Sequence, residues 1–125
     1  MQTRWLAISS AVVLATIGLG LTFLPQEVLA LAGERASAPL VLLAQLAGAL
    51  ALGFAWLDWF ARHQRIGGIY QRPLVLANLL HFMMVSLTLL RLSAAGDLGT
   101  FGLVLLVPYA VLAAWWGKTL MTSPV

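Results

Sequence analysis

The sequence predicts an all-α fold, a four-transmembrane-helix bundle forming a single membrane domain over residues 1–125. Three observations carry this. Hydrophobic residues make up 62% of the chain and charged residues only 9%, with a mean hydropathy of +0.97, against about 25% charged in ordinary globular domains. The apolar residues gather in four runs, at about 5–24, 39–60, 73–90 and 98–116, each close to the ~20 residues a helix needs to cross a hydrocarbon core of about 30 Å. The charged residues fall between the runs or at their ends.

The first run holds 20 residues without a charge. Arg4 before it and Ala30-Leu31-Ala32 after it also resemble a signal peptide with its cleavage site. The run exceeds the ~7–15 residues of a signal h-region and stops at Pro25, well before that site, so a spanning helix is the expectation. Ser9, Val13, Thr16 and Gly20 lie within about 40° of one helical line, a stripe of mostly small or weakly polar groups that another backbone could approach. Residues 25–38 mix Glu27, Glu34 and Arg35 with Val28, Leu29 and Leu31, as in a short interfacial helix.

The second run starts with Ser37 as N-cap and Pro39 in the first turn, where a missing N–H costs little. Ala44, Gly48, Ala51 and Ala55 form one small-residue line, with Ala49 and Gly53 beside it, which predicts packing on more than one side. Gln45 lies about 9 Å below the start of the run, deep enough that its amide needs a partner. At the far end Asp58 and Arg62 are spaced to pair at the interface.

The polar connection over residues 61–72 contains Arg62, His63, Gln64, Arg65 and a Gly67-Gly68 turn. The third run is expected to close at Arg91, and the fourth to stop at Gly117 and Lys118. Pro108, inside the fourth, removes one backbone hydrogen bond and predicts a kink.

Orientation follows from counting positive charges. With both termini on one side, that side holds Arg4, Arg62, Arg65, Arg72 and Lys118, and the other only Arg35 and Arg91. The positive-inside rule then places both termini in the cytoplasm. All five tryptophans, Trp5, Trp56, Trp59, Trp115 and Trp116, fall at the cytoplasmic ends of their helices as interfacial anchors. The basic pI of about 10.2 reads as this topology signal and not as nucleic-acid binding. Arg62, Arg65 and Arg72 could also attract anionic lipid headgroups.

His81 lies about 12 Å beyond Pro73 at helical rise, near the bilayer midplane, which makes it the leading functional candidate. Val85 and Thr88 share its helical line, Asn78 is about 60° away, and Tyr109 of the fourth run reaches a similar depth. The ordinary expectation is that Thr16, Gln45, Asn78, His81 and Tyr109 hydrogen-bond one another and fix helix register. The functional one is that they line a cavity for a lipid headgroup, an isoprenoid or another amphiphile. The absence of cysteine excludes disulfides, thiol nucleophiles and thiolate metal sites. No metal-ligand spacing, paired carboxylates or phosphate-binding glycine loop occurs, so neither a metal nor a cofactor is expected. A bis-histidine haem would require a second chain, because His63 lies in the polar connection.

Gly67-Gly68-Ile69-Tyr70, Arg72-Pro73, Asn78 and His81-Phe82 form a GGIY-x-RP and N-x-x-HF pattern. In this the chain resembles a group of small bacterial four-helix membrane proteins and, more loosely, the DoxX-like and DUF4345-like proteins. Gln45 to Ala49 and the Gly18, Gly20, Pro25 pattern are similar too. The resemblance implies the fold and a bacterial inner membrane, and transfers no catalytic residue. The first run lacks the carboxylate on which small multidrug-resistance transporters depend. The sequence therefore points to an inner-membrane bundle without intrinsic catalysis, which binds a hydrophobic or amphiphilic small molecule or a membrane partner. The competing expectations are an accessory subunit of a larger complex, or a homo-oligomer, and a transporter or oxidoreductase centred on His81.

Overall fold

A computed structural model describes residues 2–64 and 71–121. They form five helices and no strand: α1 (Gln2–Phe23), α2 (Pro25–Leu31), α3 (Ala38–Ala61), α4 (Arg72–Ala94) and α5 (Thr100–Met121). All but α2 are long and apolar enough to cross a membrane, with mean hydropathies of 1.7 to 2.1. This is the all-α, four-spanning-helix class expected, and it fits a small multi-pass integral membrane protein.

Local chemistry sets three of the helix ends. Ser37 caps α3 as expected, its Oγ accepting the Leu40 N–H at 3.4 Å and its carbonyl the Val41 N–H at 2.8 Å. Both α2 and α4 close on a left-handed glycine, Gly33 at φ 81° and Gly96 at φ 77°. In each, the glycine N–H and the next residue's N–H fold back onto the last turn: Gly33 to Ala30 and Glu34 to Leu29, then Gly96 to Ser93 and Asp97 to Leu92. This is the Schellman pattern, which glycine adopts without a Cβ penalty.

Two expected ends are corrected. Helix α4 continues one turn beyond residue 90, with Arg91 inside its last turn, and α5 runs on through Gly117 and Lys118 to Met121. A cation in the last turn complements the helix dipole and can extend towards the interface, so these charges end the apolar run and not the helix. Pro108 lies within α5, which continues through it.

The chain divides into two compact units, Ala7–Phe60 and Met1–Leu6 with Ala61–Val125. In the first, α1 and α3 meet at glycines. A Cβ on Gly18 would lie 2.9 Å from the Gly48 carbonyl oxygen, and one on Gly48 would lie 2.5 Å from Thr22 Oγ1 and 2.9 Å from Leu21 Cβ. The expected line Ala44, Gly48, Ala51 and Ala55 is buried. The neighbouring line is not: Ala49 and Gly53 are exposed, and nothing lies within 4 Å of a Cβ on Gly53. The buried α1 residues of this unit are Ala7, Ser10, Ala11, Leu14 and Gly18, in place of the expected stripe through Ser9, Val13, Thr16 and Gly20. Residue size alone defines that stripe, whereas the buried face combines apolar residues with Ser10 and with the glycine that permits contact.

In the second unit α4 and α5 pack as a hairpin around residues 95–99. Its core includes Leu74, Val75 and Phe82 from α4 and Tyr109, Leu112 and Trp116 from α5. Trp116 is fully buried and so is a packing residue, not the interfacial anchor expected. Trp5, Trp56 and Trp59 are exposed and Trp115 is half-buried.

Candidate functional site

In the second unit, α4 and α5 bring together two of the expected site residues. His81 is the tenth residue of α4 and Tyr109 the tenth of α5, and antiparallel packing sets them side by side. His81 Nε2 and the Tyr109 hydroxyl share a hydrogen bond at 3.3 Å, its direction depending on the imidazole tautomer. Phe82 completes a ring cluster. Its centroid lies 5.2 Å from His81, edge-on, and 5.1 Å from Tyr109, within the range of favourable aromatic contact. His81 is half-buried, and Tyr109 is buried. A hydrogen-bonded imidazole and phenol can fix helix register, or can present a donor and an acceptor to a polar group.

Asn78 is fully buried, and its amide donates to the Leu74 carbonyl one turn back, at 3.1 Å. The inward polar line of α4 runs Asn78, Phe82, Ser86, with spacing i, i+4, i+8, and not through Val85 and Thr88 as expected. Thr88 is exposed and donates to the Met84 carbonyl at 2.9 Å. Ser86 carries a buried hydroxyl with no hydrogen-bond partner among the described residues. The alternation of polar residues with Phe82 hid this line. A stripe counted from His81 is offset from it by one residue.

The other expected ligand residues lie in the first unit. Gln45 is exposed, and its amide N–H donates to the Thr22 carbonyl of α1 at 3.4 Å, which supplies the partner its depth requires. Thr16 is exposed and donates to its own helix at Val12, at 2.8 Å. Asp58, expected to pair with Arg62, is fully buried, and both residues are engaged within the protein. The place of Asp58 within four residues of the end of α3 hid its burial. Rotation of the helix, and not distance from its end, decides burial.

The first unit also contains a feature that no single residue announced. Between α1 and α3 runs an open apolar groove of about 420 Å³, lined by Ala11, Val12, Ala15 and Leu19 of α1 and Leu52 and Ala55 of α3, with Trp56 and Trp59 at the end nearest the α3 C-terminus. Its cause is local. Beside the Gly18–Gly48 contact the helices touch, while Ala11, Ala15 and Ala55 withhold side-chain volume where the pair continues. The volume falls within the ~300–1,000 Å³ of ordinary ligand sites. Thr16 shares the α1 face of Val12 and Leu19, within one turn of each, and so stands at the groove's margin.

Of the expected anionic-lipid residues, Arg72 is exposed at the first turn of α4, and Arg62 follows α3, half-buried and engaged within the protein. Arg65 and the Gly67-Gly68 turn lie outside the described residues. The connection is joined at its base, where the Gln71 amide donates to Gln64 Oε1. Among the described residues, no three His, Asp or Glu side chains gather where they could hold a metal ion.

No family model, curated protein or solved structure matches the chain.

Proposed function

We propose that this small integral membrane protein binds one hydrophobic or amphiphilic molecule within the bilayer and has no catalysis of its own, with the α1–α3 groove as its site. The observation that supports this is the groove itself: about 420 Å³, apolar along its length and edged by two tryptophans. An apolar gap between membrane helices is filled by apolar atoms from outside the chain, since its lining otherwise forfeits dispersion contacts. Three alanines at the contact keep it open. His81 and Tyr109 serve as a register lock in the α4–α5 hairpin, Thr16 borders the groove, and Gln45 ties α3 to α1 beyond the Gly18–Gly48 contact. The membrane is a bacterial inner membrane, with both termini cytoplasmic. Arg62, Arg65 and Arg72 hold that side towards anionic lipid.

Solvent extraction of the purified protein tests the binding role. Wild-type protein yields one hydrophobic compound in fixed ratio to the chain, and Ala15→Phe, which fills the groove, yields none. Equal recovery from both would refute it.

One observation favours a second role, as an accessory subunit of a larger membrane complex or a homo-oligomer. The Ala49–Gly53 line of α3 is exposed, with open space at Gly53, and small residues at this spacing let another helix approach closely. Gly53→Leu then releases the protein from a co-purifying complex. Unchanged co-purification counts against it.

A further inference from the structure

The geometry points to one acyl chain of an anionic lipid, drawn from the leaflet at the tryptophan end, as the occupant of the groove; this rests on the groove being the binding site. Length is the first argument. The lining runs from Ala11 to Leu19 on α1 and from Leu52 to Trp59 on α3, about 12 Å and about 10 Å at 1.5 Å per residue. A hydrocarbon core of about 30 Å gives each leaflet about 15 Å. On α3 the groove thus covers most of one leaflet, and on α1 it is centred on the span from Trp5 to Leu24. It ends where Gly18 and Gly48 bring the helices into contact, a Cβ on Gly18 lying 2.7 Å from Leu52 Cγ and 2.9 Å from the Gly48 carbonyl. A chain entering from the tryptophan end meets that crossing near the midplane. A long polyisoprenoid would have to leave the groove there.

Chemistry is the second argument. The lining is alanine, valine, leucine and tryptophan, so methylenes match it along its whole length and a polar headgroup matches it only at the indole end. Trp56 is 60% exposed and stacks on Phe60 at a centroid distance of 5.5 Å, which holds an indole at the interfacial end, where its N–H can meet a headgroup oxygen.

Charge is the third. In the sequence, the expected orientation puts that end of the groove on the side that carries five of the seven basic residues. Anionic headgroups are favoured there over zwitterionic ones.

The test reconstitutes the full chain in phosphatidylcholine vesicles with phosphatidylglycerol spin-labelled near the headgroup, in mid-chain or at the terminal methyl. For the first two labels, wild-type protein shows an immobilised component that exceeds that of Ala15→Phe by one lipid per chain. The terminal-methyl label shows no such excess, and labelled phosphatidylcholine shows it several-fold more weakly. Val12→Phe, a substitution at an exposed rim position, repeats the comparison should Ala15→Phe fail to fold. Equal immobilisation in wild type and both filled variants overturns the inference, as does an excess at the terminal methyl or equal binding of phosphatidylcholine. An excess that disappears when the protein is diluted in lipid identifies a second copy as the occupant and also overturns it. Solvent extraction separates this failure from that of the binding role. A retained compound that is not an anionic acyl lipid removes only the inference, whereas no compound specific to the wild type removes both.

Discussion

His81→Phe and Tyr109→Phe, made singly and together, form a double-mutant cycle for the hydrogen bond between α4 and α5. Membrane-buried side-chain hydrogen bonds typically couple by about 0.6 kcal/mol and at most about 1.7. A coupling in that range, measured by reversible unfolding in mixed micelles, is expected of a register lock, together with ligand retention that the His81 substitution leaves intact. Loss of the retained compound in His81→Phe would instead make this pair the binding site. Asp58 calls for a different experiment. Its side chain is fully buried and engaged, and removal of one member of a buried polar interaction leaves the other unsatisfied. Asp58→Ala should therefore cost a few kcal/mol in the same assay, while Thr88→Ala, exposed and bonded only to its own helix, changes little.

At the scale of helices, the α1–α3 contact makes a paired prediction from two glycines five residues apart. Gly48→Ala forces a Cβ against Thr22 Oγ1 and Leu21 Cβ, overpacking that costs about 1–3 kcal/mol. Gly53→Ala meets open space and gains up to about 1 kcal/mol of helix propensity. Comparison of unfolding midpoints of the two variants checks the sign of each. The contrast also marks how far the sequence was legible. Four spanning helices, the Ser37 cap, the buried line through Ala44 and Ala55 and the common depth of His81 and Tyr109 all follow from run length, capping chemistry and helical period. The choice between the Gly48 and Gly53 faces does not, because both lines are small and only the partner helix distinguishes them. The ends of α4 and α5 differ from the expected ones for a related reason: Arg91 and Lys118 are polar but helix-compatible, and apolar patterning detects the membrane's edge, not the helix's. The groove was illegible for a third reason. It is a property of a pair of helices, formed where Ala11 and Ala15 happen to face Ala55, and no single stretch of sequence carries it.

Across the whole molecule, the proposed orientation places both termini on the cytoplasmic side with Arg62, Arg65 and Arg72. Reporter fusions test it. A reporter active only in the cytoplasm should be active at residue 121 and inactive when inserted at Gly96, in the connection between α4 and α5; the opposite pattern would invert the topology. The same orientation puts the tryptophan end of the groove in the cytoplasmic leaflet, which ties the charge asymmetry of the chain to the lipid it is proposed to hold. The most direct measurement is a structure determined in lipid at a resolution that shows bound chains. Elongated density lying between Ala15 and Ala55 and ending at the Gly18–Gly48 contact is the expected result. Closure of α1 on α3 along that length, with no space between them, would contradict it.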